Sequence, residues 1–249
     1  MTVNTNPSTH PSSLLDMLQA SMPVRSSSFD ISGLRAGLVI VDEVNGFCTV
    51  GAGPLAPPVP NAQIATMVAE TVSLARRFQA AGQPIAAFLD THEPGKAEPP
   101  YPPHCEIGSG QEKLVPDLEW LETENAATLI PKDCINGFIG AIDTETGRNR
   151  IADWIIDNQL QAVILAGICT DICVMDFGLT LLSARNHGML GDLRDVVVLD
   201  SACSTYDLPI DVARAIGLPD TAAHPQDATH HLGLYFLASR GAVIASSIV

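Results

Sequence analysis

The sequence predicts an α/β protein: a doubly wound, six-stranded, mostly parallel sheet in a three-layer α/β/α sandwich. Three observations carry this expectation. Six apolar runs recur along the 249 residues. Most are continuous stretches of Val, Ile, Leu and Ala without polar alternation, the pattern of strands covered on both faces. Helix-period stretches lie between them, and strand and helix alternating this often build a parallel sheet.

The first run is Gly37–Asp42, followed by a helical stretch over Ala62–Ala81 that Gly82 terminates. Pro84–Asp90 is the second strand. A long excursion over residues 92–125 follows, with Pro99, Pro100, Pro102 and Pro103; long Pro-rich loops inside a compact domain are often functional. Ala127–Pro131 is the third strand and Asn149–Asn158 the next helix. Gln161–Gly167 is the fourth strand, and it feeds a helix over Asp171–His187 that stops at Gly188. Asp195–Asp200, a helix over Asp227–Ser239 and a last strand at Ala242–Ile248 complete the series. Residues 1–30 read as an N-terminal extension with one short helix at Ser13–Met22, and residues 31–249 as a single domain without repeat or linker.

The apolar fraction is 46% and the charged fraction 16%, the balance of a globular chain. A formal charge of −15 disfavours nucleic acid and anionic membrane surfaces as partners, since both need a basic face. No stretch reaches the roughly 18 apolar residues of a membrane helix. Residues 1–28 lack the apolar core of a signal peptide. Six cysteines in a chain of this length are too few for a disulfide scaffold. A reducing, cytoplasmic setting is the expectation.

In open α/β sheets, ligands bind beyond the carboxyl ends of the strands. Chemistry-bearing residues gather there. Asp42 ends the first run, either as a cap or turn residue or as a general base at the edge of an apolar core. Lys132 follows the third run; it either reaches solvent or lies between a carboxylate and a thiol, lowering the thiol pKa. Cys173 opens a helix, where the dipole favours a thiolate, while Cys169 sits in the preceding turn. Asp90 and His92, two apart on an extended strand end, share a side. With His104 from the Pro-rich loop they offer a carboxylate and two imidazoles to a metal, leaving positions open for water or substrate. His224, His230 and His231 read as helix surface or packing.

Together these residues resemble the isochorismatase-like cysteine hydrolases, and within them the nicotinamidases, over Leu38 to Ile248. Gly167-Ile-Cys-Thr-Asp-Ile-Cys173-Val is similar to the family's nucleophile motif. The stretch Asp42–Pro54 looks like the plant-type branch. The family's usual Asp-x-Gln-x-Asp-Phe reads Asp42-Glu-Val-Asn-Gly-Phe47 here, with Val44 and Gly46 at its polar positions. The resemblance implies a triad of Asp42, Lys132 and Cys173, and an oxyanion hole from the N–H groups of Cys169 and Cys173. It also implies a cis Ile168–Cys169 bond, and Phe47 and Tyr101 against the substrate. It implies a divalent metal, zinc with iron or manganese as alternatives, on Asp90, His92 and His104. The expected reaction is hydrolysis of a small carboxamide, nicotinamide, to the acid and ammonia through a Cys thioester. The expected assembly is a homo-oligomer. An amidohydrolase of carbamoyl or ureido compounds and a non-catalytic binding member are the alternatives.

Overall fold

The computed structural model describes residues 13–96, 98–124 and 126–249. In chain order its elements begin α1 (Leu14–Ser21), β1 (Ser27–Phe29), β2 (Ala36–Val41), α2 (Asn45–Cys48), α3 (Ala62–Ala80) and β3 (Ile85–Asp90). There follow α4 (Trp120–Thr123), β4 (Thr128–Lys132), α5 (Gly137–Gly140), α6 (Arg150–Asp157) and β5 (Ala162–Ile168). The chain closes with α7 (Cys173–Asn186), β6 (Asp195–Ser204), α8 (Ile210–Ala215), α9 (Gln226–Ala238) and β7 (Val243–Ile248). The strands form one sheet in the order β1-β7-β6-β5-β2-β3-β4, each neighbouring pair parallel.

Among the described residues the sheet has seven strands, one more than the six predicted. The added strand is β1, which pairs with β7 at the sheet edge. Three residues, Ser-Ser-Phe, two of them exposed, form it. An edge strand this short needs no apolar run, so hydropathy is silent about it. The described part of the N-terminal extension therefore contributes the edge strand, and α1 packs on α9. His231 on α9 reinforces this join, its Nε2 lying 2.9 Å from the Met22 carbonyl. β6 also runs four residues past the predicted end. A register shift opposite Leu165–Gly167 lets its polar last residues pair with the end of β5.

Apolar residues on both faces of the strands explain the layers. Val39 and Val41 of β2, Phe88 of β3 and Ile130 of β4 join Phe138, Trp154, Phe177 and Leu237 from α5, α6, α7 and α9. On the opposite face Leu38, Ile40, Ala87 and Leu89 pack with Leu74 and Phe78 of α3 and with Trp120 of α4. The alternation follows from the two-residue repeat of side chains along a strand. Asn61 caps α3, its side chain accepting the Ile64 N–H at 3.0 Å. Among the described residues, no helix is long and apolar enough to cross a membrane.

Candidate active site

The chain leaves β2 toward β3 and β4 on one side, and later returns to the other side of β2 as β5. The carboxyl ends of β2 and β5 thus flank the topological switch point, where the diverging connections open a crevice. The approach there is close. A Cβ on Gly167 would fall 2.1 Å from the Val41 carbonyl oxygen, and φ at Gly167 is +122°, so only glycine fits.

Asp90 and Lys132 end β3 and β4 and are register partners, so their side chains stand side by side on the α7 face. Asp42 arrives by a different route. Were β2 to continue extended, Asp42 would face away from Val41; instead its φ of +54° turns the chain and redirects the carboxylate. Lys132 Nζ lies 2.9 Å from Asp42 Oδ2, 2.9 Å from Asp90 Oδ1 and 3.0 Å from the Cys134 carbonyl. All three side chains are buried. Burial alone would discharge the Lys132 ammonium, but the Asp42 and Asp90 carboxylates hold it protonated and push its pKa up. Burial raises the Asp42 carboxyl to about 6, against the pull of Lys132 and with the push of Asp90. The Lys132–Asp42 contact is an ion pair without good hydrogen-bond alignment, and both Asp42 oxygens lack a well-directed donor. Cys173, the first residue of α7, is close enough for its S–H to favour the Asp42 carboxylate.

The thiol differs from the sequence expectation. Burial raises the Cys173 pKa well above its ordinary value, and the nearby Lys132 charge does not offset this. The resting group is a thiol, and its proton needs an acceptor. Asp42 is in place to be one.

Glu43 follows Asp42 and points to the other face. Its carboxyl is fully buried against Thr71 of α3, and neither side chain makes a well-directed hydrogen bond. Burial raises it from 4.5 to about 8, with Thr71 lowering it only in part. The folded protein holds this proton at pH values where the unfolded chain has lost it. Stability therefore falls by roughly 1.4 kcal/mol per pH unit as pH rises from about 4.5 to about 8. Glu43→Gln is expected to flatten this slope, so that its melting temperature gains on the parent between pH 5 and 8. Parallel melting curves across that range would reject the assignment.

Asp90 turns its second oxygen to two imidazoles: Oδ2 lies 3.1 Å from Nε2 of both His92 and His104. Glu98 adds a carboxylate oxygen 3.8 Å from each of the same nitrogens. The four donor atoms lie within 4.8 Å of one another. His104 Nδ1 is 2.8 Å from the Pro102 carbonyl, which fixes the ring so that Nε2 faces the cluster. Three buried donors, Asp90, His92 and His104, converging with the half-buried Glu98 fit a divalent metal such as zinc, iron or manganese. Asp90 is held well below the usual carboxylate range; burial opposes this, and Lys132, His104 and His92 outweigh it. Sequence reasoning missed Glu98. Its only signal is an acid in the Pro-rich excursion shortly before His104.

Phe47 and Tyr101 both lie against His104, at ring-centroid distances of 5.6 Å and 6.1 Å. At Gly46, a Cβ would fall 2.5 Å from Cys105 Sγ, so that thiol fills the space of the side chain missing from the family's pattern. The Ile168–Cys169 bond is cis. In the turn beyond it, the Ile172 and Val174 N–H groups donate to the Cys169 carbonyl, whereas those of Cys169 and Cys173 donate to no backbone carbonyl among the described residues. The histidines read as surface or packing are placed otherwise. His224 precedes α9 and lies 2.8 Å from Asp171; His230 lies 2.7 Å from Thr170. Both grip the turn.

Residues 36–246 match the Isochorismatase domain family. The chain belongs to the isochorismatase family. Within it, the chain is 48% identical over 237 residues to Nicotinamidase 1 of Arabidopsis thaliana, covering 94% of this chain and 96% of the relative. The solved nicotinamidase PncA from Bacillus subtilis superposes with a TM-score of 0.62 at 21% identity, covering 86% of this chain and all of the other. The pyrazinamidase of Pyrococcus horikoshii, solved in complex with zinc, gives 0.60 at 21% identity, with 84% and 98% covered. At that identity the two structures share the isochorismatase-family fold.

Proposed function

We propose that this isochorismatase-family chain is a nicotinamidase, a metal-dependent cysteine amidohydrolase that converts nicotinamide to nicotinate and ammonia. The buried Asp42–Lys132 ion pair with the Cys173 thiol beside Asp42, bridged by Asp90 to the His92/Glu98/His104 cluster, carries the reading. The 48% identity to an Arabidopsis nicotinamidase supports the substrate.

Cys173 is the nucleophile. As its sulfur bonds to the carboxamide carbon, its proton passes to Asp42, whose carboxyl near 6 is ionised at neutral pH. Lys132 stays charged throughout and balances the negative charge that moves between sulfur and carboxylate. The carbonyl oxygen becomes the oxyanion, held by the Cys169 and Cys173 N–H groups. Losing one such donor typically raises the barrier by about 3 kcal/mol. Asp42 then gives its proton to the nitrogen, the C–N bond breaks and ammonia leaves. Water adds to the thioester, handing a proton to Asp42, and collapse releases nicotinate as the sulfur is reprotonated. Asp90, His92, Glu98 and His104 would hold the divalent metal, with zinc the first choice. Bound there, it would supply a Lewis acid able to hold a nitrogen donor of the substrate. Phe47 and Tyr101 enclose the ring. A cytoplasmic setting keeps the thiols reduced, and all six cysteines are free.

The test is ammonia release from nicotinamide by the metal-replete chain, before and after chelation. Release is expected to fall more than about tenfold on chelation and to return with zinc; His92→Ala should not recover. Absence of release from replete protein, with activity on a carbamoyl or ureido compound, would overturn the assignment.

A further inference from the structure

The turn that carries Cys169 and Cys173 is gripped by a segment the mechanism above leaves unused. Beyond β6 the chain makes an excursion over residues 205–225, containing α8. Its neck is closed by paired backbone bonds: the Leu208 N–H donates to the His224 carbonyl at 2.9 Å, and the His224 N–H to the Leu208 carbonyl at 2.7 Å. At this neck the His224 ring stacks on Tyr206 with centroids 3.8 Å apart. Its Nδ1 lies 2.8 Å from the Tyr206 carbonyl, and its Nε2 lies 2.8 Å from Asp171 Oδ2. The Thr205 hydroxyl donates to the other Asp171 oxygen at 2.7 Å.

Both ring nitrogens of His224 are engaged: Nε2 by Asp171, and Nδ1 by the Tyr206 carbonyl and, at 3.3 Å, the Thr229 hydroxyl. Both oxygens of Asp171 are engaged in turn. His230 reaches the turn differently, through the Thr170 hydroxyl 2.7 Å from its Nδ1, while its Nε2 faces Asp200 at 3.0 Å. Asp171 lies midway between Cys169 and Cys173, and α9 packs against its backbone. A Cβ on Gly233 would fall 2.8 Å from Asp171 Cα. The turn therefore has little freedom except where Asp171 is held.

We propose that Asp171 and His224, with Thr205, form a hydrogen-bonded clamp that positions the Cys169–Cys173 turn so that its two free N–H groups converge on the substrate oxyanion. This rests on the nicotinamidase reading. Asp171 and His224 are positioning residues, acting through the turn. Small misplacements of such groups cost up to about 100-fold in rate.

The test compares Asp171→Ala, His224→Ala, their double variant and Asp171→Asn in the full-length, metal-replete chain. Each Ala variant is expected to lower kcat for nicotinamide by about 10- to 100-fold with KM changed less than about threefold. The double variant should be no worse than either single one, because both remove one interaction. Asp171→Asn should recover most of the loss, since Asn can donate to a neutral His224 and still accept from Thr205. Alkylation of Cys173 by iodoacetamide, read by peptide mass spectrometry, needs the thiolate but no oxyanion hole, and should hold its parental rate. Amide exchange over residues 168–174 should quicken in the Ala variants. Parental kcat in both, or kcat and alkylation falling together with no recovery in Asp171→Asn, would overturn the clamp. Failure of the parent to release ammonia would defeat the nicotinamidase reading instead. Exchange would then decide alone, with unchanged protection in His224→Ala overturning the clamp and faster exchange supporting it.

Discussion

Cys173→Ala is expected to abolish ammonia release, lowering kcat by roughly 10⁴- to 10⁶-fold, as loss of a nucleophile does where a catalytic group acts as a unit. The fold should tolerate the change, because the thiol is one small buried group at the first position of α7. Asp42→Asn removes the proton acceptor and should cost about 10²- to 10⁴-fold. The pair should be far from additive: with no thiol to deprotonate, loss of the base has little left to remove. The pH profile carries the same argument with a definite sign. Asp42 works as a base, so activity is lost as pH falls through its pKa, which burial raises to about 6. An acid limb in kcat/KM near pH 6 is therefore expected. A residual rate in Cys173→Ala within tenfold of the parent would end the thioester mechanism, and an acid limb at pH 4 would show that Asp42 is not held as described.

The positions legible in the sequence were those that a strand end announces. Apolar runs located Asp42, Asp90 and Lys132 at the carboxyl ends of β2, β3 and β4, and parallel registration brings such ends together. Cys173 was legible as the opening of a helix. What that placement does to the thiol was not. The helix dipole and Lys132 predict a lowered pKa, whereas enclosure by the surrounding side chains, which no local pattern encodes, raises it. Glu98 escaped because the Pro-rich excursion has no periodicity to say where its residues fold back. The Asp171–His224 contact spans 53 residues and depends on where the loop after β6 returns. β1 escaped for the opposite reason: as a short exposed edge it carries no apolar signal. Core-building segments advertise themselves by hydropathy; loops that complete a site do so only through contacts made after the core exists.

Lys132→Met should damage stability and catalysis together, and the two losses should separate with pH. The ammonium lies between two buried carboxylates at 2.9 Å from each. Methionine matches the length of the stem but leaves both acids without their cation. Removing one partner from a buried ionic cluster commonly destabilises by about 3–5 kcal/mol. The uncompensated acids should take up protons, because their folded-state pKa values then rise above those of the unfolded chain. A raised carboxyl costs stability fully above its folded pKa and nothing below its unfolded one. The stability deficit of chelated Lys132→Met against the chelated parent should therefore be largest at pH 8 and shrink toward pH 5. The parent's depressed Asp90 leaves this trend unchanged, because the stability it contributes is fully present above its unfolded value of 3.8 and is lost only below it. Activity should not return on acidification, since a protonated Asp42 cannot accept the Cys173 proton. A deficit that stays constant from pH 8 to pH 5 in denaturant titrations would mean that Lys132 supports the fold by packing alone. In that case its charge would not couple the thiol and base to the Asp90 cluster.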